Sequence, residues 1–350
     1  MAHRTAPDRS KIESIRRSGD RPTLKTISEL SGFAVQTVSR ALSDAPDISS
    51  KTKETVRKIA DQIGYIPNRA GVRLRTGRTN VIALVLSTED DILSLMSRLI
   101  SSVASGLRET AYHLVVTPNY PDDDPLKAIR YIVQNKTADA IILNQIQPED
   151  PRVKYLMEAN FPFVTHGRTI WAEEHSYFDF DNFAFGQLAI ENLAQRGRKS
   201  VLLIAPPSDQ NYAIEIVEGA KTAAKNCGIE LEIANEIDSD SHRQKIRSYV
   251  AQRVNQPPKL DAILSASPNA TMAAVAGLED SGQAIGESFD VYSKETVPIL
   301  DLFRSGILTI QEDVTKAGRF LAYAAVSAAK GDGAAPIQKL DRPCNVIGKT

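Results

Sequence analysis

Apolar positions follow two rhythms along the chain, and the change between them comes near Thr79. Before it, apolar residues recur at helical spacing in three short stretches. These predict helices over Leu24 to Ser31, Val35 to Leu42 and Ser50 to Gly64, the first two separated by Ser31-Gly32-Phe33. "DISS" ahead of Lys51-Thr52-Lys53-Glu54 suits an N-cap with Glu54 reaching back, and Gly64 stands where a helix C-cap belongs. After Thr79, short apolar runs alternate with amphipathic stretches. The runs are Val81–Leu86, His113–Val116, Ala140–Leu143, Phe163–Thr165, Tyr177–Phe180, Val201–Ala205, Glu230–Ile233, Ala262–Ser265, Phe289–Tyr292 and Leu308–Gln311. Helical stretches such as Leu93–Ala111, Phe183–Arg196, Asn211–Asn226 and Thr271–Ser281 lie between them. This alternation predicts an α/β body of parallel sheets covered on both faces. So many strands fit two similar lobes better than one sheet, with the division expected near residues 160–170. Ligands of such sheets bind outside the carboxyl ends of the strands, so the cleft between the lobes is the expected site.

The second helix carries its own test. At about 100° per residue, Val38, Ala41 and Leu42 share one face, and Gln36, Ser39, Arg40 and Ser43 share the other. The apolar set is expected to pack on Leu24, Ile27 and Leu30 and on Val56 and Ile59. The polar stripe is then displayed outward, either as a plain solvated face or as a reader of DNA. Gln pairs bidentately with adenine and Arg with guanine in the major groove.

Charge sharpens the choice. Residues 1–80 hold 16 Lys and Arg against 8 Asp and Glu, while the rest of the chain holds 26 against 35. A basic head on an acidic body points to a polyanion partner. Residues 1–22 are polar without periodicity and are expected to be a disordered tail. There is neither an apolar run long enough for a membrane span nor a signal core. Cys227 and Cys344 form neither a disulfide framework nor a zinc motif, so a reducing, cytoplasmic setting is expected.

Enzyme signatures are missing. The chain has no G-x-G-x-x-G, P-loop or G-x-S-x-G. Asp122-Asp123-Asp124 lies between Pro121 and Pro125 and reads as a solvated loop; Asp179 and Asp181 share one strand face; His113, His166, His175 and His242 show no ligand spacing. No catalytic residue, cofactor or metal is therefore expected. A transport-type binding protein does not suit residues 1–80.

The motifs "TVSRAL", "VRKIA", "GYIPN" and "LRTGRT" make Thr23 to Val85 closely resemble the head of the LacI/GalR family of transcription regulators. The resemblance implies a helix–turn–helix domain over 23–66, a hinge over 67–79, and a two-lobed effector-binding and dimerisation body over 80–350, similar to periplasmic sugar-binding proteins. It implies that Ala34, Val35 and Gln36 open a recognition helix and that Ser39, Arg40 and Ser43 lie on its groove side. Thr23, with Leu24 beside it, and Ser49, Thr52, Tyr65 and Asn68 match positions that hold phosphates. Leu74 matches a hinge leucine that wedges into the minor groove and bends the duplex. Gly71 weakens a hinge helix by about 1 kcal/mol, so the free hinge is expected to be disordered.

"YFDFDNFAFGQLAIENLAQRGRKSVLLIA" fits the family's body, and the departures fall in the pocket. Ile216 stands where an Arg is common, Ser267-Pro268-Asn269 where Asn-Asp is common, and Lys294-Glu295 where an acidic pair is common. Ser87, His166, Arg168, Asp181, Tyr212, Ser267, Asn269 and Lys294 are the candidate effector contacts, with Thr88 and Asn144 at neighbouring strand ends. Tyr120, Trp171 and Tyr212 are candidates for stacking on a sugar. Arg168 and Lys294 also admit an anionic ligand, unless Asp181 and Glu295 neutralise them. "FDVYSKE" and "THGR" are similar to a branch found beside carbohydrate transport operons, which implies a sugar such as an α-glucoside. The expected whole is a homodimeric repressor that binds double-stranded operator DNA and a small effector, with co-repression as the alternative.

Overall fold

The computed structural model describes residues 21–66, 71, 73, 77–87, 93–120, 122–286, 288–332 and 335–343, except for the side chains of residues 87 and 93–95. The chain divides into two units, residues 1–79 and residues 80–350. In the first, α1 (Leu24–Ser31), α2 (Val35–Leu42) and α3 (Ser50–Ile63) follow one another. Thr23 starts α1 through a reciprocal cap: its hydroxyl accepts from the Thr26 amide, and the Thr26 hydroxyl accepts from the Thr23 amide. Ser49 caps α3 by accepting from the Thr52 amide, so Thr52 and not Glu54 is its capping partner. Ile27, Val38, Ala41, Val56, Ile59, Ala60 and Ile63 form the core, with Leu24, Leu30 and Leu42 packed against it. The helical spacing of the apolar residues accounts for this core, since each helix turns one stripe inward.

The second unit has two parallel sheets. The first has the order β11-β5-β4-β3-β1-β2, from β1 (Val81–Ser87), β2 (His113–Asn119), β3 (Ala140–Leu143), β4 (Phe163–His166), β5 (Ser176–Phe180) and β11 (Gln338–Asp341). The second has the order β10-β9-β8-β6-β7, from β6 (Ser200–Ile204), β7 (Glu230–Ile233), β8 (Ala262–Ser265), β9 (Asp290–Glu295) and β10 (Leu308–Gln311). Strand alternation feeds two cores per lobe. Ile82, Leu84 and Leu86 of β1 face α4 (Leu93–Leu107) and α12 (Val314–Lys330), whereas Ala83 and Val85 face α5 (Lys127–Asn135) and α6 (Pro151–Glu158). In the second lobe Val201 and Leu203 pack towards α7 (Asn182–Gln195) and α8 (Asn211–Cys227). Leu202 and Ile204 pack towards α9 (Arg243–Arg253), α10 (Pro268–Asp280) and α11 (Leu300–Phe303).

Two findings correct the sequence-based picture. The chain leaves the first sheet after Phe180, not near residues 160–170, because β5 pairs with β4. It returns through α12, and β11 then pairs with β5 at the sheet edge. The segment Gln338–Asp341 has no apolar run, so alternation did not mark it.

α7 and α8 cross backbone to backbone. A Cβ on Gly219 of α8 would stand 2.1 Å from the Phe183 carbonyl oxygen, and one on Gly186 of α7 would stand 2.4 Å from that of Ile216. This contact sets the depth at which the first turn of α8 meets the cleft.

Candidate functional site

The head displays one stripe of α2. Gln36, Arg40 and Ser43 are exposed, as are Ala34 and Val35 ahead of them, while Val38 and Ala41 are fully buried. Ser39 is half-buried. The Ser43 hydroxyl donates to the carbonyls of Ser39 at 3.0 Å and Arg40 at 3.2 Å, so it closes the helix and does not project from it. Thr23 and Ser49 are exposed at the starts of α1 and α3, where unpaired amides favour anions. The hydroxyls of Ser49 and Thr52 bond each other at 2.9 Å. Leu24 and Tyr65 are half-buried against the head's core. Asn68, Leu74 and residues 1–20 of the expected tail lie outside the described residues.

Cations of this face are already engaged. Arg40 Nη2 lies 2.5 Å from Asp47 Oδ1. Arg57 Nη2 lies 2.8 Å and Lys53 Nζ 3.1 Å from Asp44 Oδ1.

In the body, the carboxyl ends of both sheets converge on one cleft, lined by His166, Arg168, Tyr212, Ser267, Asn269 and Lys294 among the sequence-predicted contacts, and by Asn144. Local devices place them. Arg152 Nη2 donates to the carbonyls of Asn144 at 3.1 Å and Gln145 at 2.7 Å, bracing the loop after β3. Gly167, at φ 117°, turns the chain after β4 so that Arg168 enters the cleft. Ser267 caps α10, accepting from the Ala270 amide, and Pro268 follows at the first turn.

Several candidates are placed otherwise. Asp181 does not line the cleft; it caps α7 by accepting from the Ala184 amide at 2.9 Å. Asp179, the preceding outward position of β5, lines the cleft instead. Lys294 is not on a loop but inside β9 and buried. Glu295 turns away and accepts from the amides of Ile299 and Leu300. Trp171 packs against the core beneath β3, Tyr120 is 55% exposed outside the cleft lining, and Ile216 is fully buried. Ser87 ends β1 with its side chain outside the described residues, and Thr88 is outside them altogether.

The cleft's cations, Arg168 and Lys294, are paired internally, by partners other than Asp181 and Glu295. Arg168 Nε contacts Asp179 Oδ2 and its Nη2 contacts Glu215 Oε1, each at 2.7 Å. Lys294 Nζ contacts Glu312 Oε2 at 2.9 Å and donates to Asn182 Oδ1 at 3.0 Å. It also stands 5.6 Å from the centre of the Tyr212 ring, a cation–π contact. Burial would raise the Glu312 carboxyl, but Lys294 and His166 overcome it and hold the group at about 2. Glu215 is pushed the other way, to about 7, by burial and by Asp179, against the pull of Arg168. Burial also pushes Asp179 up despite its contact with Arg168. Among the described residues, Asn144 Oδ1 of the cleft lining is a buried acceptor with no hydrogen-bond donor, as are Gln210 Oε1 and Glu215 Oε2 near the start of α8 and Gln62 Oε1 in the head. No group of three His, Cys, Asp or Glu among the described residues could hold a metal ion, and none of the described helices is long and apolar enough to cross a membrane.

Residues 23–68 match the family described as bacterial regulatory proteins, lacI family. Residues 79–317 match periplasmic binding proteins and the sugar binding domain of the LacI family. The chain is 26% identical to the HTH-type transcriptional regulator CelR of Thermobifida fusca over 91% of this chain and 95% of that one. It is 28% identical to the regulator AglR of Rhizobium meliloti over 91% of each chain. It is also similar to a solved complex of CelR with cellobiose, at a TM-score of 0.68 and 23% identity over 93% of this chain and 98% of that one. A Lac repressor dimer bound to operator and the anti-inducer ONPF has a TM-score of 0.78 at 20% identity, over 93% of this chain and 98% of that one.

Proposed function

The chain belongs to the LacI family of bacterial regulatory proteins, and from that premise we propose that it is a homodimeric repressor of carbohydrate uptake or utilisation genes, released by a neutral sugar bound between its lobes. It is a DNA-binding transcriptional regulator with a sugar-binding domain. In the proposed mechanism, the α2 stripe of each subunit enters the major groove of one half-site, as two-fold symmetry requires. Gln36 and Arg40 contact base edges, Ala34 and Val35 meet a thymine methyl, and Thr23, Ser49, Thr52, Tyr65 and Asn68 engage phosphates. Leu74 wedges the minor groove. The sugar changes the relation of the lobes and releases the hinges, a coupling of about 1–3 kcal/mol.

The observation that carries the sugar reading is the electrostatic closure of the cleft. Arg168 and Lys294 are each matched by a carboxylate, and Asn144 Oδ1, an unfilled group of the cleft lining, is an acceptor. An anionic ligand brings acceptors to an acceptor and finds no spare charge. A sugar brings hydroxyl donors, and leaving such a buried acceptor unfilled is costly. Lys294 lies against the Tyr212 ring, and Tyr212 lines the cleft, where a pyranose can meet it.

The test is a fluorescence-anisotropy titration of the full chain with promoter fragments from its own locus, with and without sugars. Release by cellobiose or an α-glucoside, and none by the corresponding sugar acid or phosphate, is expected. Release by the anions alone would overturn the neutral-sugar reading, and tighter DNA binding with sugar would make the protein co-repressed.

A further inference from the structure

We infer that Asp47 is a positioning residue for operator reading, which holds the Arg40 guanidinium in one orientation on the exposed stripe of α2 and so sets how strictly one base pair is chosen. The inference rests on the DNA-binding reading and deepens it.

The loop between α2 and α3 carries two carboxylates that do different things. Asp44, in the left-handed region at φ 58°, turns to α3 and accepts from Arg57 at 2.8 Å and Lys53 at 3.1 Å. It fastens the loop to the next helix. Asp47 turns the opposite way, and its Oδ1 meets Arg40 Nη2 at 2.5 Å. Both side chains stay about half exposed, at 48% for Arg40 and 52% for Asp47. Arg40 lies one turn along the stripe from Gln36, so the pair sits on the face that meets DNA.

A lone carboxylate on that face repels phosphates. Bound to Arg40, it also occupies one edge of a fork that has five N–H donors, leaving the others for a base. An unrestrained arginine reaches several bases and phosphates; a tethered one presents fewer geometries, and guanine O6 and N7 demand two parallel donors. Hydrogen bonding from Arg40 holds the Asp47 carboxyl below its usual range, so the tether stays charged throughout the neutral range.

The experiment uses the full chain and an operator selected from randomised duplexes. Affinities of wild type, Asp47→Ala, Asp44→Asn, Arg40→Ala and the Arg40→Ala/Asp47→Ala double variant are measured against the operator and each of its single-base variants, alongside thermal unfolding. Asp47→Ala is expected to relax discrimination about tenfold at one base pair, the same one that Arg40→Ala relaxes, and the double variant to relax it no further. Asp44→Asn should leave discrimination intact. Asp47→Ala tightening every sequence by one factor would reduce Asp47 to a repelling charge and overturn the inference. So would a lowered unfolding temperature with unchanged discrimination, or the same relaxation in Asp44→Asn. Wild type without any sequence preference would instead remove the DNA-binding reading itself.

Discussion

Arg168 and Glu215 meet across the cleft, guanidinium Nη2 to carboxylate Oε1 at 2.7 Å, one from the loop after β4 and the other from the first turns of α8. The contact joins the two lobes. Asn211 donates its amide to the Ile146 carbonyl at 2.8 Å and Gln147 Nε2 donates to Asp209 Oδ2 at 2.6 Å beside it. A ligand at Arg168 and Asn211, which line the cleft, therefore touches an interlobe latch, which is how a small molecule gains leverage over lobe geometry.

Sugar affinity should rise with pH. Glu215 has a folded-state value of about 7 against an ordinary 4.5, because burial and Asp179 disfavour its charge. The folded state thus holds this proton more tightly. The stability it contributes is full below pH 4.5 and is lost as pH rises through about 7. Closing the lobes on a sugar tightens the contact of Glu215 with Arg168, a cleft residue, and so favours the ionised form, so calorimetric affinity should increase several-fold between about pH 6 and 8. Glu215→Gln should flatten the profile; a slope that persists in that variant places the titrating group elsewhere.

Lys294→Met should destabilise the body by about 3–5 kcal/mol, since it leaves Glu312 buried without its main countercharge. In the wild type Glu312 is held at about 2, below its ordinary 4.5, so its contribution is present above pH 4.5 and lost as pH falls through about 2. Without Lys294 the carboxyl rises and stability should fall with increasing pH. Urea unfolding at several pH values reads both effects.

Gly219→Ala should cost at least about 1–3 kcal/mol, as overpacking does. The new methyl would lie 2.1 Å from the Phe183 carbonyl oxygen, and backbone cannot step aside as a side chain can. Because α8 carries Tyr212 and Glu215, sugar affinity should fall with stability. An unfolding midpoint equal to wild type would show that α7 and α8 part freely.

Gln36→Ala should cost about 1–3 kcal/mol of operator binding at one base position, with sugar affinity and unfolding unchanged. Its side chain is exposed and no core contact is lost. Discrimination equal to wild type, read by anisotropy, would remove Gln36 from the reading surface.

What the sequence determined by itself was set by spacing. Val38 and Ala41 face inward and Gln36 and Arg40 outward because helical period alone assigns the faces. Each of the ten runs falls on a strand, and the central β1, β3, β6 and β8 are the most continuously apolar because buried parallel strands require it. Tertiary structure decided the pairings. Asp179 and Asp181 are equivalent by alternation; only the end of β5 at Phe180 makes one a cleft residue and the other a helix cap. Glu215 and Glu312 look like ordinary surface acids until α8 and the end of β10 bring them to Arg168 and Lys294. Asp47 likewise gained its meaning from the turn that carries it back over α2. Period is a property of neighbours along the chain, whereas a charge takes its role from whatever folding places beside it.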